Sequence, residues 1–348
     1  MEINIAEKKV GGINSVFIVA ELSANHLQKY DLAVKTIRAA KESGADAVKF
    51  QTYTPDTITI DSNEEYFQIK QGTIWDGKTL YQLYQEAYTP WEWHSKLKKI
   101  AKDLGLIFFS TPFDKTAVDL LEGMDVPVYK IASLEITDIP LIEYIASKGK
   151  PVIISTGIAT LSDIEEAVNA CRRKGNSQIV LLKCTSEYPA SLEDANLRTI
   201  PNMRETFNTV VGFSDHTMGI SAPIAAVSLG AKIIEKHFIL DRKLGGPDAT
   251  FSSEPEEFKA MVKAVREVET ALGSVNYELS EKTKRSREFS RSLFVVKDVK
   301  KDDSLTFENI RSIRPGFGLH PRYMNNIIGK RARKDIKRGT PLNWDLVE

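Results

Sequence analysis

The chain has 348 residues, of which 42% are hydrophobic, so it can bury a full core and fits one large domain plus a small one. Basic and acidic residues number 47 each, and this balance indicates no particular charged partner. Residues 281–348 carry 17 basic and 9 acidic side chains but lack interleaved aromatic residues for base stacking, which argues against nucleic-acid binding.

Short runs of β-branched residues alternate with amphipathic helical patterns over residues 16–272. Eight runs predict strands, namely Val16–Ala20, Ala47–Phe50, Ile107–Ser110, Val128–Ile131, Val152–Ser155, Ile179–Lys183, Val210–Phe213 and Ile233–His237. The helical patterns include Asp31–Ser43, Trp91–Leu104, Ala117–Gly123, Ser162–Lys174 and Pro255–Leu272. Because each crossover is helical, the strands are expected to be parallel, and eight such units predict an α/β fold of the TIM (β/α)8 barrel type. An open doubly wound sheet is the alternative, but no Gly-x-Gly-x-x-Gly follows any predicted strand.

Two segments interrupt this alternation. Residues 53–89 form a long polar and aromatic insertion after the second predicted strand, which predicts a lid or a wall of a substrate site. Further along, the charged residues 281–290 predict a linker. This linker would divide a barrel domain at 1–280 from a small domain of short strands and turns at 291–348.

The cellular compartment is predicted from three features: signal peptides, membrane spans and disulfide bonds. Met1–Asn4 shows no signal peptide, and no apolar stretch is long enough to span a bilayer. The two cysteines, Cys171 and Cys184, do not suggest a disulfide framework. We therefore expect a cytoplasmic protein without a membrane partner.

His216 and His237 each follow an apolar run that predicts a strand. Consecutive strands of a barrel end side by side on one rim, where catalytic residues are placed. Two imidazoles that arrive there together predict a divalent metal site with open positions for a substrate oxygen. The alternative is two unrelated histidines bonded to backbone carbonyls, and the roles of His26 and His94 are equally open.

Other polar side chains follow the predicted strands and are expected at the same rim. They are Glu21, Lys49, Gln51, Ser110, Thr111, Lys130, Ser133, Glu135, Ser155, Thr156, Lys183, Thr185 and Ser186. Charged residues are seldom placed at such positions unless they are paired or bound to a ligand. Lys49 and Lys130 would therefore either neutralise carboxylates in a structural network or hold a phosphate group. A buried carboxylate beside them would suit a general acid or base.

A set of ordered strings in the chain resembles the nonulosonic acid synthases, the sialic acid synthase family. The strings are Ala20–His26, Lys49–Gln51, Phe109–Phe113, Tyr129–Ser133, Ser155–Gly157, Ser214–His216 and Glu235–Phe238. In the tail, Arg314–Gly316 resembles the antifreeze-protein-like (SAF) C-terminal domain of that family. Within the family, Gln51–Asp56, Ala87–His94 and Phe317–Pro321 look most like the pseudaminic acid synthases.

The resemblance implies a condensation reaction. Phosphoenolpyruvate (PEP) would react with an N-acetylated amino-sugar aldehyde, and phosphate would leave by C–O cleavage. The resemblance also implies a divalent metal ion (Mn²⁺, Mg²⁺ or Co²⁺) on His216 and His237, which would polarise the aldehyde as a Lewis acid.

The resemblance also assigns the remaining site residues. PEP is expected at Lys49, Lys130, Ser133, Ser186 and Ser214. The sugar is expected at Gln51, Tyr188, Asp248 and Arg314. Glu135, or in its place Glu21, is expected to manage the proton, and Glu135 is favoured. Arg314 is expected to come from the partner subunit of a domain-swapped homodimer.

The substrate and the class of protein each have alternatives. The pseudaminic subtype implies 2,4-diacetamido-2,4,6-trideoxy-altrose, whereas an N-acetylneuraminic or legionaminic acid synthase would use an N-acetylated mannose-type sugar. A metal-dependent hydrolase barrel usually needs more ligands early in the chain, where Asn25–His26 offers one histidine. A non-catalytic carbohydrate-binding protein would leave the lysines, glutamates and paired histidines unexplained.

Overall fold

An antiparallel hairpin, β1 (Glu2–Ile5) and β2 (Lys8–Gly11), precedes eight parallel strands that close into a barrel. The barrel strands are β3 (Phe17–Glu21), β4 (Ala47–Thr52), β5 (Ile107–Pro112), β6 (Tyr129–Ile131), β7 (Val152–Ser155), β8 (Ile179–Cys184), β9 (Val210–Asp215) and β10 (Ile233–His237). Each barrel strand pairs with the next along the chain, and β10 returns to pair with β3. The computed structural model describes residues 1–70 and 72–348, and the predicted TIM-type barrel is confirmed.

Helices connect the barrel strands. They span Tyr30–Glu42, Pro55–Ile58, Leu80–Ala87, Trp91–Asp103, Lys115–Gly123, Ile139–Ala146, Leu161–Arg173, Thr199–Phe207, Ser221–Ser228 and Pro255–Leu272. Local sequence sets several of their ends. Thr160 and Asp163 exchange side-chain and backbone hydrogen bonds in a capping box that starts the helix Leu161–Arg173.

Alternate residues of the barrel strands face two separate cores. In β3, Ile18 and Ala20 pack with the surrounding helices, whereas Phe17 and Val19 face the barrel interior. The hairpin contributes Ile5 to that interior cluster. The barrel is therefore filled from its N-terminal end, and polar side chains remain at the C-terminal ends of the strands.

A second compact unit, Ser274–Glu348, follows the barrel unit Met1–Gly273. It contains an antiparallel pair of strands, β11 (Ser292–Val295) and β12 (Ile310–Ile313), and short helices at Glu281–Ser286 and Met324–Ile327. Its own core includes Leu293, Val295, Val299, Leu305, Ile310, Ile327, Ala332, Ile336 and Leu342. The residues predicted as a linker, 281–290, include the first of these helices and belong to this unit.

All eight predicted barrel strands are present, with end positions that differ by no more than two residues. The hairpin of β1 and β2, two strands of four residues each, was not predicted. The predicted insertion at 53–89 contains the helices Pro55–Ile58 and Leu80–Ala87, and its residue 71 lies outside the described residues. No helix within 1–70 and 72–348 has the length and hydropathy needed to cross a membrane.

Candidate active site

A cavity of about 340 Å³ opens at the C-terminal ends of the barrel strands. Its lining joins strand-end residues to residues of the insertion, and includes Ser23, Gln51, Tyr53, Ile58, Trp75, Leu83, Tyr84, Ala87, Phe113, Ser133, Glu135, Tyr188, His237 and Asp248. A larger hollow of about 540 Å³ lies at the opposite end of the barrel, around Lys98 and Lys150. Lys150 there already pairs with Glu122 and Asp125 at the surface. We therefore assign the site to the smaller cavity, where buried polar groups converge.

Two buried lysines share two buried glutamates beneath this cavity. In the barrel register Glu21 of β3 lies beside Lys49 of β4, and the Lys49 Nζ is 3.0 Å from Glu21 Oε2. The same Nζ is 3.3 Å from Glu235 Oε1, and Lys130 Nζ is 3.7 Å from that oxygen. Lys130 also donates a hydrogen bond of 2.6 Å to Ser155 Oγ. The four charged groups therefore form one network with almost no solvent contact.

The electrostatics of the network are set by burial and by these pairings. Burial raises the pKa of Glu21 to about 7, against the opposing charge of Lys49. Burial lowers the pKa of Lys130, although Glu235 acts in the other direction. Burial also opposes the charge on Lys49, but Glu21 and Glu235 raise its pKa overall. Glu235 keeps a low pKa against its burial because Lys130 and Lys49 both lie beside it.

Three serine hydroxyls complete the surroundings of the lysines. Ser214 Oγ donates to Glu235 Oε1 at 3.1 Å, and Ser133 Oγ accepts from the Gly157 backbone N–H at 3.1 Å. A Cβ at Gly157 would lie 2.1 Å from Ser186 Oγ, so only glycine allows these hydroxyls to come so close. The buried Ser186 Oγ and Glu235 Oε2 have no hydrogen-bond partner among the described residues. Two buried lysines and a hydroxyl without a partner, all at the C-terminal ends of barrel strands, fit a bound phosphate group.

The two predicted metal ligands lie side by side, His216 directly after β9 and His237 at the end of β10, with ring centroids 5.4 Å apart. The His216 Nδ1–H donates to the Thr185 carbonyl at 2.8 Å, which fixes the ring and leaves Nε2 as an acceptor. The His237 Nδ1 is buried and has no partner among the described residues. Burial and the neighbouring His216 hold the pKa of His237 well below its usual range, so its imidazole is neutral.

This donor set fits a divalent cation held by two imidazole nitrogens. The imidazole of His237 is already neutral, whereas the Cys184 thiol raises the pKa of His216 against its burial, so that a bound cation would displace a proton from His216 when the ring is charged. Within 1–70 and 72–348, no group of three or more His, Cys, Asp and Glu side chains is placed to hold a metal. Protein side chains would then supply two ligands, and water or substrate oxygens would complete the coordination. A hydrolytic zinc site usually has three protein ligands, and the pair differs from that pattern.

The predicted sugar-binding residues line the cavity above the network. Gln51 donates to Ser23 Oγ at 2.9 Å and to Glu21 Oε1 at 3.4 Å. Ser23 in turn donates to Asp248, whose pKa is raised by burial. The ring of Tyr188 lies 4.4 Å from that of His216, between centroids. These contacts hold one polar side of the cavity in a fixed arrangement.

Glu135 follows β6 and contributes a carboxyl to the same cavity. Its Oε2 is buried without a partner among the described residues. Burial raises the pKa of Glu135 to about 7, although Lys130 acts to lower it. A carboxyl of this kind is protonated for part of the time near neutral pH, which suits proton transfer.

The remaining candidates belong to the second unit or have other partners. Arg314 belongs to the second unit. His26 Nε2 lies 3.0 Å from Thr89 Oγ1, and His94 Nε2 lies 2.8 Å from Thr52 Oγ1. Burial lowers the pKa of both imidazoles to about 4. His26 and His94 are therefore neutral residues of the barrel wall.

Several residues of the site were not among the predicted ones. Glu235 accepts from Ser214 and pairs with both lysines, and it lies two positions before His237 on the same strand. Because side chains alternate along a strand, the spacing of two residues puts Glu235 and His237 on one face of β10. This spacing is a sequence signal that could have identified Glu235 as a residue of the site. Tyr53, Trp75 and Tyr84 also line the cavity. They belong to the insertion predicted as a lid or substrate wall, but no local pattern indicates that these particular side chains face the cavity.

Comparison with known proteins assigns the chain to a family. A sequence model described as the NeuB family matches residues 36–277, which is more than half of the chain. The chain belongs to the NeuB family. Residues 290–348 match the SAF domain, which confirms the antifreeze-like character predicted for the tail.

The relatives of the chain extend over nearly its full length. A pseudaminic acid synthase of Helicobacter pylori is 49% identical over 95% of this chain and 97% of its own length. One of Campylobacter jejuni is 48% identical over 96% of this chain and 98% of its own length. An N,N'-diacetyllegionaminic acid synthase of Legionella pneumophila is 38% identical over 99% of both chains. Among solved structures, the N-acetylneuraminic acid synthetase of Leptospira borgpetersenii has a TM-score of 0.74 and 34% identity, over 82% of this chain and 95% of that one.

Proposed function

We propose that the chain is a pseudaminic acid synthase, which condenses PEP with 2,4-diacetamido-2,4,6-trideoxy-altrose and releases phosphate. One observation carries the proposal: two buried lysines share the carboxylate of Glu235, on the strand that carries His237, and the neutral imidazole of His237 lies beside that of His216. The near-full-length identity to pseudaminic acid synthases, higher than that to a legionaminic acid synthase, supports the choice of sugar.

PEP would occupy the lower part of the site. Lys49 and Lys130 would bind its phosphate and carboxylate, because a buried cation with a carboxylate partner is already desolvated and oriented. Ser133, Ser186 and Ser214 would donate to the remaining oxygens. Bound PEP would thus supply the partner that the Ser186 hydroxyl lacks within the described chain.

The sugar would lie above PEP, with its open-chain aldehyde near the histidines. Gln51, Asp248 and Tyr188 would orient its hydroxyl and acetamido groups from the polar side of the cavity. When bound by His216 and His237, a divalent cation would supply Lewis-acid polarisation of the aldehyde. We propose that this ion is Mn²⁺, Mg²⁺ or Co²⁺.

Carbon 3 of PEP forms a bond to the aldehyde carbon as the C2=C3 π bond breaks, which leaves an oxocarbenium-like centre at carbon 2, and the aldehyde oxygen takes a proton, for which Glu135 in its acid form is the donor. Water then adds to carbon 2 and gives one proton back to the Glu135 carboxylate. The resulting tetrahedral centre becomes a keto group as its C–O bond to phosphate breaks, and the proton of its hydroxyl leaves with phosphate. Glu21 lies beside Lys49 and is the alternative proton carrier, with a pKa near 7 for the same reason of burial.

We further propose that the enzyme works as a domain-swapped homodimer in the cytoplasm. In this arrangement Arg314 would reach the sugar's N-acetyl group in the site of the partner subunit. Cys171 and Cys184 are both free thiols, which agrees with a reducing compartment. A non-catalytic carbohydrate-binding protein remains the alternative, but it has no use for a buried lysine pair.

Phosphate release tests the proposed function. The purified chain with Mn²⁺ would be incubated with PEP and, in turn, with the trideoxy-altrose, its mannose-configured diacetamido analogue and N-acetylmannosamine. We expect release that depends on sugar and metal and is fastest with the trideoxy-altrose. Fastest release with either other sugar would assign the chain to a different synthase, and no release with any sugar would exclude a synthase.

A further inference from the structure

Part of the lining of the candidate active-site cavity is apolar and comes from the insertion. Ile58, Trp75, Leu83, Tyr84 and Ala87 form this part, which we term the insertion wall. The barrel adds further apolar atoms, and the polar atoms of the lining include those of Ser23, Gln51, Glu135 and Asp248. The lining therefore combines two chemically different sets of residues, and the reaction proposed above uses only the polar set.

The insertion wall is anchored to the barrel by specific contacts. The ring of Tyr53 is buried and meets the rings of Tyr84 and Phe113 edge-on, at 5.5 and 5.1 Å between centroids. Trp75 donates its Nε1–H to the Pro247 carbonyl at 2.9 Å, and its ring lies 5.7 Å from that of Tyr188. Because the indole N–H is already bonded, Trp75 presents carbon atoms to the cavity.

Tyr53 and Tyr84 interact with carboxyl groups of the polar set. Burial raises the pKa of Tyr53, and the charge of Asp248 raises it further. Burial likewise raises the pKa of Tyr84, and the charge of Glu135 adds to this effect. Ile58, Leu83 and Ala87 have no polar side-chain atoms. A hydroxyl of a ligand placed against these three side chains would therefore lose water without gaining a hydrogen bond.

The chemistry fixes which end of the sugar reaches this wall. The aldehyde carbon must meet carbon 3 of PEP, which lies with the lysines at the strand ends. The far end of the open chain, carbons 4 to 6, would then point out of the barrel toward the insertion. In a common hexosamine that end carries a hydroxyl on carbon 6, whereas a 6-deoxy sugar carries a methyl group there.

We propose that the insertion wall is the specificity-determining surface of the site: it binds the C6 methyl of a 6-deoxy amino sugar and disfavours sugars with a hydroxyl there. This inference rests on the proposed function and adds to it a structural cause for substrate choice. A hydrophobic pocket rejects an analogue that adds one hydroxyl by roughly 100-fold in kcat/KM. We therefore expect a discrimination of about that size between the two sugars.

The test compares the trideoxy-altrose with its 6-hydroxy counterpart in wild-type enzyme and in two variants. Leu83→Ser puts a hydroxyl in the wall, and the matched control Leu83→Met keeps it apolar at similar volume. Ile58→Thr introduces a hydroxyl at a less buried position, in case Leu83→Ser fails to fold. Each enzyme is assayed for kcat/KM with both sugars at saturating PEP, with KM for PEP as an internal readout.

We expect the preference for the 6-deoxy sugar to fall from about 100-fold toward about 10-fold or less in Leu83→Ser or Ile58→Thr. Leu83→Met should keep the wild-type preference, and KM for PEP should stay unchanged in all variants. A wild-type preference near unity, or one that both polar variants retain, would overturn the inference while leaving the proposed function intact. Wild-type enzyme that turns over neither sugar would overturn the proposed function and the inference with it.

Discussion

Replacement of Glu135 with glutamine removes a carboxyl whose pKa burial raises from 4.5 to about 7. Since the folded protein disfavours the ionised form, the carboxyl destabilises the fold progressively as the pH rises from about 4.5 to about 7, and the cost is complete above that pH. Below about pH 4.5 the group is protonated in both the folded and the unfolded chain, and this cost is absent. The two pKa values correspond to roughly 3 kcal/mol, at about 1.36 kcal/mol per pH unit.

The assay is urea unfolding of wild-type and Glu135→Gln protein, followed by tryptophan fluorescence at pH values from about 4 to about 8. The other charged groups that act on Glu135, Lys130 and Asp138, are present in both proteins and largely cancel in the difference. Relative to wild type, Glu135→Gln should gain roughly 3 kcal/mol in free energy of unfolding between these pH values. A difference that does not change with pH would refute the assignment of a buried, high-pKa carboxyl. In activity assays, kcat of the variant should fall by about 10²- to 10⁴-fold.

Four further changes test the rest of the site. Lys130→Met should raise KM for PEP roughly 10- to 100-fold in steady-state assays, and an unchanged KM would exclude a role in binding PEP. His237→Ala should weaken Mn²⁺ binding at least about tenfold in calorimetry while circular dichroism shows an intact fold, and full affinity would contradict the metal assignment. Lys236→Met should cost about 3–5 kcal/mol of stability in urea, because the buried Asp215 loses its ion partner. When Arg314→Ala and Lys130→Met subunits are mixed, each mixed dimer should contain one site with an intact Lys130 and an intact Arg314 from the partner subunit. We therefore expect activity above that of either variant alone, and no recovery would exclude the domain swap.

The barrel could be predicted because its signal is local and repeated. Each strand is a short β-branched run such as Val152–Ser155, and each crossover is a helix with its own start signal, as at Thr160. Once parallel strands are predicted, their C-terminal ends must share one rim. For this reason Lys49, Lys130 and the two histidines could be placed together without any knowledge of their contacts.

The contacts that depend on long loops could not be predicted in the same way. Trp75 bonds to the Pro247 carbonyl and packs on Tyr188, and each contact joins segments more than a hundred residues apart. No periodic pattern links such segments, because loop conformation depends on the whole rim and not on neighbouring residues. The sequence therefore indicated a substrate wall at 53–89 but not which of its side chains face the cavity.

The central claim is that this site joins PEP to an amino-sugar aldehyde and breaks the C–O bond of PEP. Mass spectrometry of a reaction with PEP labelled with oxygen-18 in its bridging C–O–P position tests it directly. The account predicts one keto acid that combines all carbons of the sugar and PEP, together with phosphate that carries the label. Label that stays on a carbon compound, or phosphate released without that keto acid, would contradict it.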